Sequence, residues 1–265
     1  MVTAVLFVQN AAPNSITQFH DLISNELPVP LGPWSFDLKI FLNNKYSKPS
    51  NIHPSQVPNR YLYSLQLSYL PQKTITIINN TKSITTVTSL TANVSEKGSE
   101  VSNSKDSKDV SNSKNAKLKE HFLKGCSLNT TTDSFDLFVM NKLQNLWALK
   151  QVIKGESGYG YLINVANINS EDSARGHETF KIRTSNCFLH GTFKGFLIEI
   201  EHIETTASEE AQNIIMSFSK SISKIKTLIE VYKFPQGRLC FNVLSDSKLD
   251  YESDLCQQYS DALQF

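Results

Sequence analysis

Apolar and polar residues alternate along several stretches of the chain, and this pattern predicts β-strands. The clearest example runs from Trp34 to Leu42, where every second residue is large and apolar. Successive side chains of a strand point to opposite faces of a sheet, so such a run has one apolar and one polar face. The same alternation predicts further strands at residues 2–8, 61–70, 74–78, 84–90, 159–165, 180–189 and 193–204.

Apolar residues that recur every three or four positions predict four helices. The first begins at a capping box formed by Ser15 and Gln18. The others cover residues 135 to about 151–153, 208–232 and 253–263. Two turn signals lie between the elements: we expect a glycine-rich turn at Gly155–Gly160 and a tight hairpin at His190–Thr192.

Strands that mostly follow one another, together with a few long helices, predict the α+β class. The economical arrangement is a largely antiparallel β-barrel with flanking helices packed outside it. We therefore expect a single barrel domain over residues 1–265. Within it, residues 93–130 form a polar insertion rich in Ser, Asn and Lys, and we expect disorder at least over residues 95–115. So few apolar side chains cannot offset the entropy lost on ordering.

The charge balance and the cysteines narrow the classes of function. The chain carries 26 Lys and Arg residues against 25 Asp and Glu residues, so it lacks the basic excess of a nucleic-acid-binding surface and we expect no direct nucleic acid partner. No apolar run approaches the roughly 18 residues of a membrane helix, so we expect no membrane contact. Four widely spaced cysteines and an N-terminus without a signal peptide predict free thiols in an intracellular protein.

Glu199 and Glu201 are the main candidates for chemistry, because they share one face of a predicted strand. Paired carboxylates on a barrel strand can hold a divalent metal that binds a triphosphate. They can equally be the solvent-facing side of a half-buried strand, which is the interpretation that the alternation favours. A triphosphate site also needs further acids and cations, whereas the strands before residue 80 offer only Asp37 and Lys39, which we expect on a solvated face.

The chain contains no phosphate-loop motif, no nucleophile elbow and no histidine pair at helical spacing. We therefore predict a protein that is not an enzyme and has no catalytic residue, metal or cofactor. A metal-dependent triphosphate-tunnel phosphohydrolase is the alternative, and a nucleic-acid-binding barrel is a third class that lacks its basic aromatic face. For a protein that acts through its surface, Phe193 is the candidate partner-binding residue, because it lies beside the predicted hairpin.

Several segments of the chain, taken in order, resemble the family of Mediator complex subunit 20, particularly its fungal members. The resemblance covers most of the chain and lies in Ala4–Val8, Pro33–Asp37, Lys142–Trp147, Gln151–Gly155, Phe193–Glu201 and Asp254–Leu263.

This resemblance implies a β-barrel with flanking helices, distantly similar in shape to triphosphate-tunnel enzymes but without catalysis. It further implies a nuclear head-module subunit of the RNA polymerase II coactivator. Its partners would be Mediator subunit 18, as a direct heterodimer, and subunit 8, as a tether, with the polymerase machinery contacted indirectly.

Overall fold

Ten strands form one curved sheet that organises the whole molecule. The computed structural model describes residues 2–47, 53–78, 82–88, 126–129, 134–166, 177–203, 214–244 and 250–265. The strands are β1 (Val2–Gln9), β2 (Val29–Asn43), β3 (Tyr61–Leu67), β4 (Lys73–Ile78), β5 (Lys82–Thr88), β6 (Cys126–Asn129), β7 (Trp147–Ala166), β8 (His177–Leu189), β9 (Thr192–Ile203) and β10 (Arg238–Cys240). Their order across the sheet is β10-β1-β9-β8-β7-β2-β3-β4-β5-β6. Each neighbouring pair is antiparallel except β5 and β6, which are parallel.

The last helix, α4 (Tyr251–Ala262), lies inside the curve of this sheet. It packs against β1 and β10 near one end of the sheet and against β3, β4 and β5 toward the other. A helix can contact both ends of one sheet only from the concave side, so the sheet is curled into a half-barrel around α4. The predicted fold class is confirmed, but the expectation that this helix packs outside the barrel is wrong.

Three other helices lie elsewhere on the sheet: α1 (Pro13–Ser24), α2 (Phe135–Lys142) and α3 (Ile214–Val231). Helices α1 and α3 bury apolar side chains such as Phe19 and Ile225 in a core on the convex face. Helix α1 begins at Pro13, a residue pre-organised for the first helical position, and its N-cap residue makes no side-chain capping bond. The predicted capping box is therefore wrong. The predicted start of α3, residues 208–213, lies outside the described residues.

Strand β7 differs most from the sequence prediction. Helix α2 ends at Lys142, and a continuous strand follows from Trp147 through the predicted glycine-rich turn. Gly155 is needed inside this strand, because a Cβ there would lie 2.1 Å from the ring of Phe36 on β2. The prediction was wrong because these glycines serve close packing between strands rather than a turn.

The hairpin between β8 and β9 is confirmed. His190 and Gly191 form its turn, with positive φ angles of 50° and 79°, the backbone that two-residue hairpin loops require. Close to this turn, the pairing of β8 with β9 shifts register between Cys187 and Phe188. This β-bulge sets which polar residues of the two strands lie opposite each other.

Of the predicted polar insertion, Cys126–Asn129 forms β6, and residues 93–125 and 130 lie outside the described residues. Cys187, Cys240 and Cys256 are buried free thiols, as predicted. Among the described helices, none combines the length and the hydropathy that crossing a membrane requires.

Candidate functional site

The two candidate carboxylates lie in the interior of the half-barrel. Glu199 is 0% exposed and Glu201 is 1% exposed, so the interpretation that they form the solvent-facing side of β9 is wrong. The predicted alternation itself is correct, since Leu197 of the same face belongs to the concave core and Ile198 to the convex core. Both faces of β9 are covered, because helices pack on both sides of the sheet.

Glu199 is surrounded by donors from three parts of the chain. Arg183 Nη1, on the adjacent β8, donates to Oε1 at 2.5 Å. The hydroxyl of Tyr69, just after β3, donates to Oε1 at 2.8 Å, and that of Tyr259, on α4, donates to Oε2 at 2.8 Å. The carboxylate thereby joins the sheet to the helix that fills it, through charge-assisted hydrogen bonds, which are stronger than neutral ones.

Glu201 is held in the same way. Lys181 Nζ donates to its Oε1 at 2.8 Å, and Arg183 Nη1 donates to its Oε2 at 3.2 Å. The hydroxyl of Tyr251, the first residue of α4, lies 3.5 Å from that Oε2. In register, Lys181 faces Glu201 and Arg183 faces Glu199 across the two strands, so two cations balance two carboxylates.

We call these seven residues the lumen cluster: Tyr69, Lys181, Arg183, Glu199, Glu201, Tyr251 and Tyr259.

The environment keeps the tyrosines of the lumen cluster protonated. Burial raises the pKa of Tyr69 and of Tyr259 well above the ordinary value, and the neighbouring Glu199 carboxylate raises both further. Burial likewise raises the pKa of Tyr251. Protonated phenols can donate hydrogen bonds, which is the role that Glu199 requires of Tyr69 and Tyr259.

All four carboxylate oxygens of the pair therefore already accept hydrogen bonds from protein donors. Within the part of the chain that the structure describes, no group of three or more His, Cys, Asp or Glu side chains could hold a metal ion. A metal-triphosphate site would need carboxylates that are free to coordinate. The arrangement fits a polar cluster that links β8, β9 and α4 better than a reaction centre.

Asp37 and Lys39 lie apart from this cluster, against α2. Lys39 Nζ lies 3.0 Å from Asp37 and also pairs with Asp136 of α2, which is 1% exposed. Asp136 accepts a further hydrogen bond from the Ser64 hydroxyl at 2.6 Å. The predicted solvated face is therefore largely covered by a helix.

Phe193 lies at the start of β9 and is 37% exposed. Its ring packs edge-to-face on Phe188, with centroids 5.8 Å apart. Its role as a partner-binding residue stays a prediction. Trp34 is buried and Trp147 is half-buried.

Comparisons with known proteins point in one direction. Residues 1–264 match the family described as the TATA-binding related factor (TRF) of subunit 20 of Mediator complex. Proteins named Mediator of RNA polymerase II transcription subunit 20 are similar over 100% of both chains, with 36% identity in Debaryomyces hansenii and 37% in Scheffersomyces stipitis. The protein of that name in Saccharomyces cerevisiae is 22% identical over 75% of this chain and 73% of its own.

Proposed function

Because the chain belongs to the Mediator complex subunit 20 family, it is a Mediator component that acts in transcription and its regulation, and we propose that it is a non-enzymatic scaffold of the head module. In this role it conveys regulatory signals to RNA polymerase II through protein–protein contacts. It works in the nucleus, binds Mediator subunit 18 directly as a heterodimer, and is tethered by subunit 8.

One observation carries the non-enzymatic part of this proposal: the concave face of the sheet is occupied by the chain itself. Nine of the 12 residues of α4 are buried, and Tyr259 of that helix reaches Glu199. A fold whose interior is filled in this way offers its outer surface, loops and rim for function. Exposed apolar side chains such as Phe193, Phe138 and Val231 supply contact area on that surface.

Affinity purification from the native cells, followed by partner identification, tests the proposal. We expect the other Mediator subunits to be recovered, with subunits 18 and 8 retained longest as the salt concentration is raised. Co-expression of the chain with subunit 18 alone should also yield a stable heterodimer in size-exclusion chromatography. Recovery of Mediator without a direct complex between these two chains would contradict the assigned partner.

Phe193→Ala tests the proposed contact point. Truncating an aromatic anchor at an interface costs about 2 kcal/mol or more, which is roughly a 30-fold loss of affinity. We expect weaker binding to subunit 18 and a nearly unchanged melting temperature, since the side chain is already 37% exposed. Tyr159→Ala is the matched control because Tyr159 is also 37% exposed. A loss of melting temperature that parallels the loss of binding would instead assign Phe193 to the core.

The alternative function, a metal-dependent phosphohydrolase, has its own test. Purified protein should release no phosphate from a triphosphate with Mg²⁺ or Mn²⁺. Metal-dependent release that disappears in the Glu199→Ala/Glu201→Ala variant would overturn the scaffold proposal.

A further inference from the structure

A cavity of about 380 Å³ opens beside the lumen cluster at one end of the half-barrel. Arg183, Lys181, Glu201 and Tyr251 form its polar wall, while Trp34 and Leu31 belong to its apolar wall. Its size is near the lower end of the range for ligand pockets, roughly 300–1,000 Å³. The cavity thus has room for one or two side chains of another molecule.

The two cations of this cavity have unused hydrogen-bond donors. Among the described residues, Arg183 makes hydrogen bonds only through Nη1, although it is 7% exposed. Its Nε and Nη2 are left without a protein acceptor, while its guanidinium stacks 3.9 Å from the ring centre of Tyr69. Lys181 likewise uses one N–H, toward Glu201. A nearly buried guanidinium with free N–H groups is a donor array for an anion.

The cavity wall carries one more cation than carboxylates, although Glu199 behind it balances the charge of the lumen cluster as a whole. Two cations, Lys181 and Arg183, line it together with one carboxylate, Glu201. The second carboxylate, Glu199, lies behind them and is 0% exposed. Glu199 and Glu201 both pair with the same atom of Arg183, Nη1, so neither carboxylate occupies its Nε or Nη2.

An apolar rim continues from this polar wall. Leu31 lines the cavity and is 44% exposed, and Val29 on the same strand is 54% exposed. A free phosphate or a small organic acid lacks an apolar side chain that could pack on this rim. A polypeptide that carries a carboxylate side chain next to an apolar one would fill both parts.

We propose that this cavity binds an Asp or Glu side chain of a partner polypeptide, with a neighbouring apolar side chain of that polypeptide packed on Leu31. The carboxylate accepts hydrogen bonds from Arg183 and Lys181 inside the cavity. This goes beyond the scaffold role, because that role specifies neither a pocket nor the side chain that the pocket recognises. The test below uses the isolated chain, so its failure leaves the scaffold proposal untouched.

Trp34 provides a reporter, because it lines the cavity and only one other tryptophan is present in the chain. The full-length Trp147→Phe variant therefore gives a fluorescence signal from Trp34 alone. We would titrate it with an N-acetylated, C-amidated Leu-Asp-Leu peptide, with the matching Leu-Asn-Leu peptide and with inorganic phosphate. We expect a saturable signal from the Asp peptide, at least about tenfold weaker binding of the Asn peptide, and weaker binding at higher salt.

Two substitutions, each with a matched control, locate the binding. Lys181→Met should weaken the Asp peptide about tenfold, whereas Lys220→Met on the exposed face of α3 should not. Leu31→Asp should weaken it through charge repulsion at the rim, whereas Leu27→Asp should not, because Leu27 is 90% exposed and does not line the cavity. Melting curves check that each variant is folded.

Three results would overturn the proposal. These are equal affinity for the Asp and Asn peptides, phosphate binding tighter than the Asp peptide, and no saturable signal up to millimolar peptide.

Discussion

Among the residues that the structure describes, Arg183 is the one cation that pairs with Glu199 at the centre of the half-barrel. Removing one partner of a buried ion pair leaves an uncompensated charge, which costs about 3–5 kcal/mol. We therefore predict that Arg183→Met lowers the free energy of unfolding by about this amount in urea titrations. Lys220→Met, at an exposed lysine, should change it by less than about 0.5 kcal/mol.

A second substitution checks this cause. Glu199→Gln added to Arg183→Met removes the unpaired charge, so the double variant should be more stable than Arg183→Met alone. If the double variant were less stable than Arg183→Met, the burial of an unpaired carboxylate would not be the reason for the loss.

His20 gives the chain a pH dependence that can be tested on one residue. Its Nδ1 lies 3.1 Å from the Tyr161 hydroxyl, and its ring packs against Phe19 and Phe196. Burial lowers the pKa of His20 below its ordinary value of 6.5, although Asp21 opposes the shift. Between the lowered pKa and 6.5 the unfolded chain binds the proton more readily, so the free energy of unfolding should fall as the pH is lowered through this window.

Unfolding measured across this pH range in wild type and in His20→Gln isolates the effect. The substitution keeps a hydrogen-bonding group near Tyr161 but removes the titration, so the pH dependence should become shallower. His177→Gln, at an exposed position of β8, should keep the wild-type dependence. An unchanged slope in His20→Gln would exclude this histidine as its source.

The lumen cluster could be predicted only in part, because one residue changes its pairing. The alternation of residues 193–201 correctly places Glu199 and Glu201 on one face, and Lys181 and Arg183 alternate in the same way on the preceding strand. A two-residue turn without a bulge would pair Arg183 with Ile198. The register shift between Cys187 and Phe188 moves it opposite Glu199. No local sequence signal predicts this bulge, so the ion pairs between β8 and β9 could not be predicted from the sequence.

Among the elements, α4 differs from an ordinary surface helix because polar residues are buried with the apolar ones. Gln258 donates from Nε2 to the carbonyl of Thr3 at 3.0 Å, and the Thr3 hydroxyl donates back to Gln258 Oε1 at 2.8 Å. The apolar stripe of Leu255, Cys256, Tyr259 and Leu263 was predictable from helical spacing. Burial of the other sides of α4 could not be predicted from the sequence. It requires that both ends of the sheet contact the same helix.

Leu255→Ala measures how much this helix holds the half-barrel together. Leu255 is 0% exposed and belongs to the concave core, and truncation of such a leucine costs about 2–5 kcal/mol. We expect a loss of unfolding free energy in that range. Val231→Ala on α3, at a residue that is 56% exposed, should lose less than about 0.5 kcal/mol. Equal losses in the two variants would mean that α4 is only loosely attached.

At the scale of the whole molecule, the polar insertion is the part that we propose to be dispensable. Residues 95–115 contain few apolar side chains, so we expect their deletion to change closure entropy little and to remove few contacts. We predict that the free energy of unfolding changes by at most about 1 kcal/mol in a chemical denaturation series. A much larger loss would indicate that the insertion packs on the sheet.

The position of α4 also sets an order of events during synthesis. Every strand of the sheet precedes α4 in the chain, so all of them leave the ribosome before the helix that fills their concave face. β1 is made first, but it can pair with its neighbours β9 and β10 and pack against α4 only after these elements have been synthesised. Until then the sheet exposes apolar surface and unpaired backbone groups, which are the features that favour aggregation of incomplete chains. We therefore expect the nascent protein to need chaperones or an early partner for longer than a chain whose core forms from local contacts.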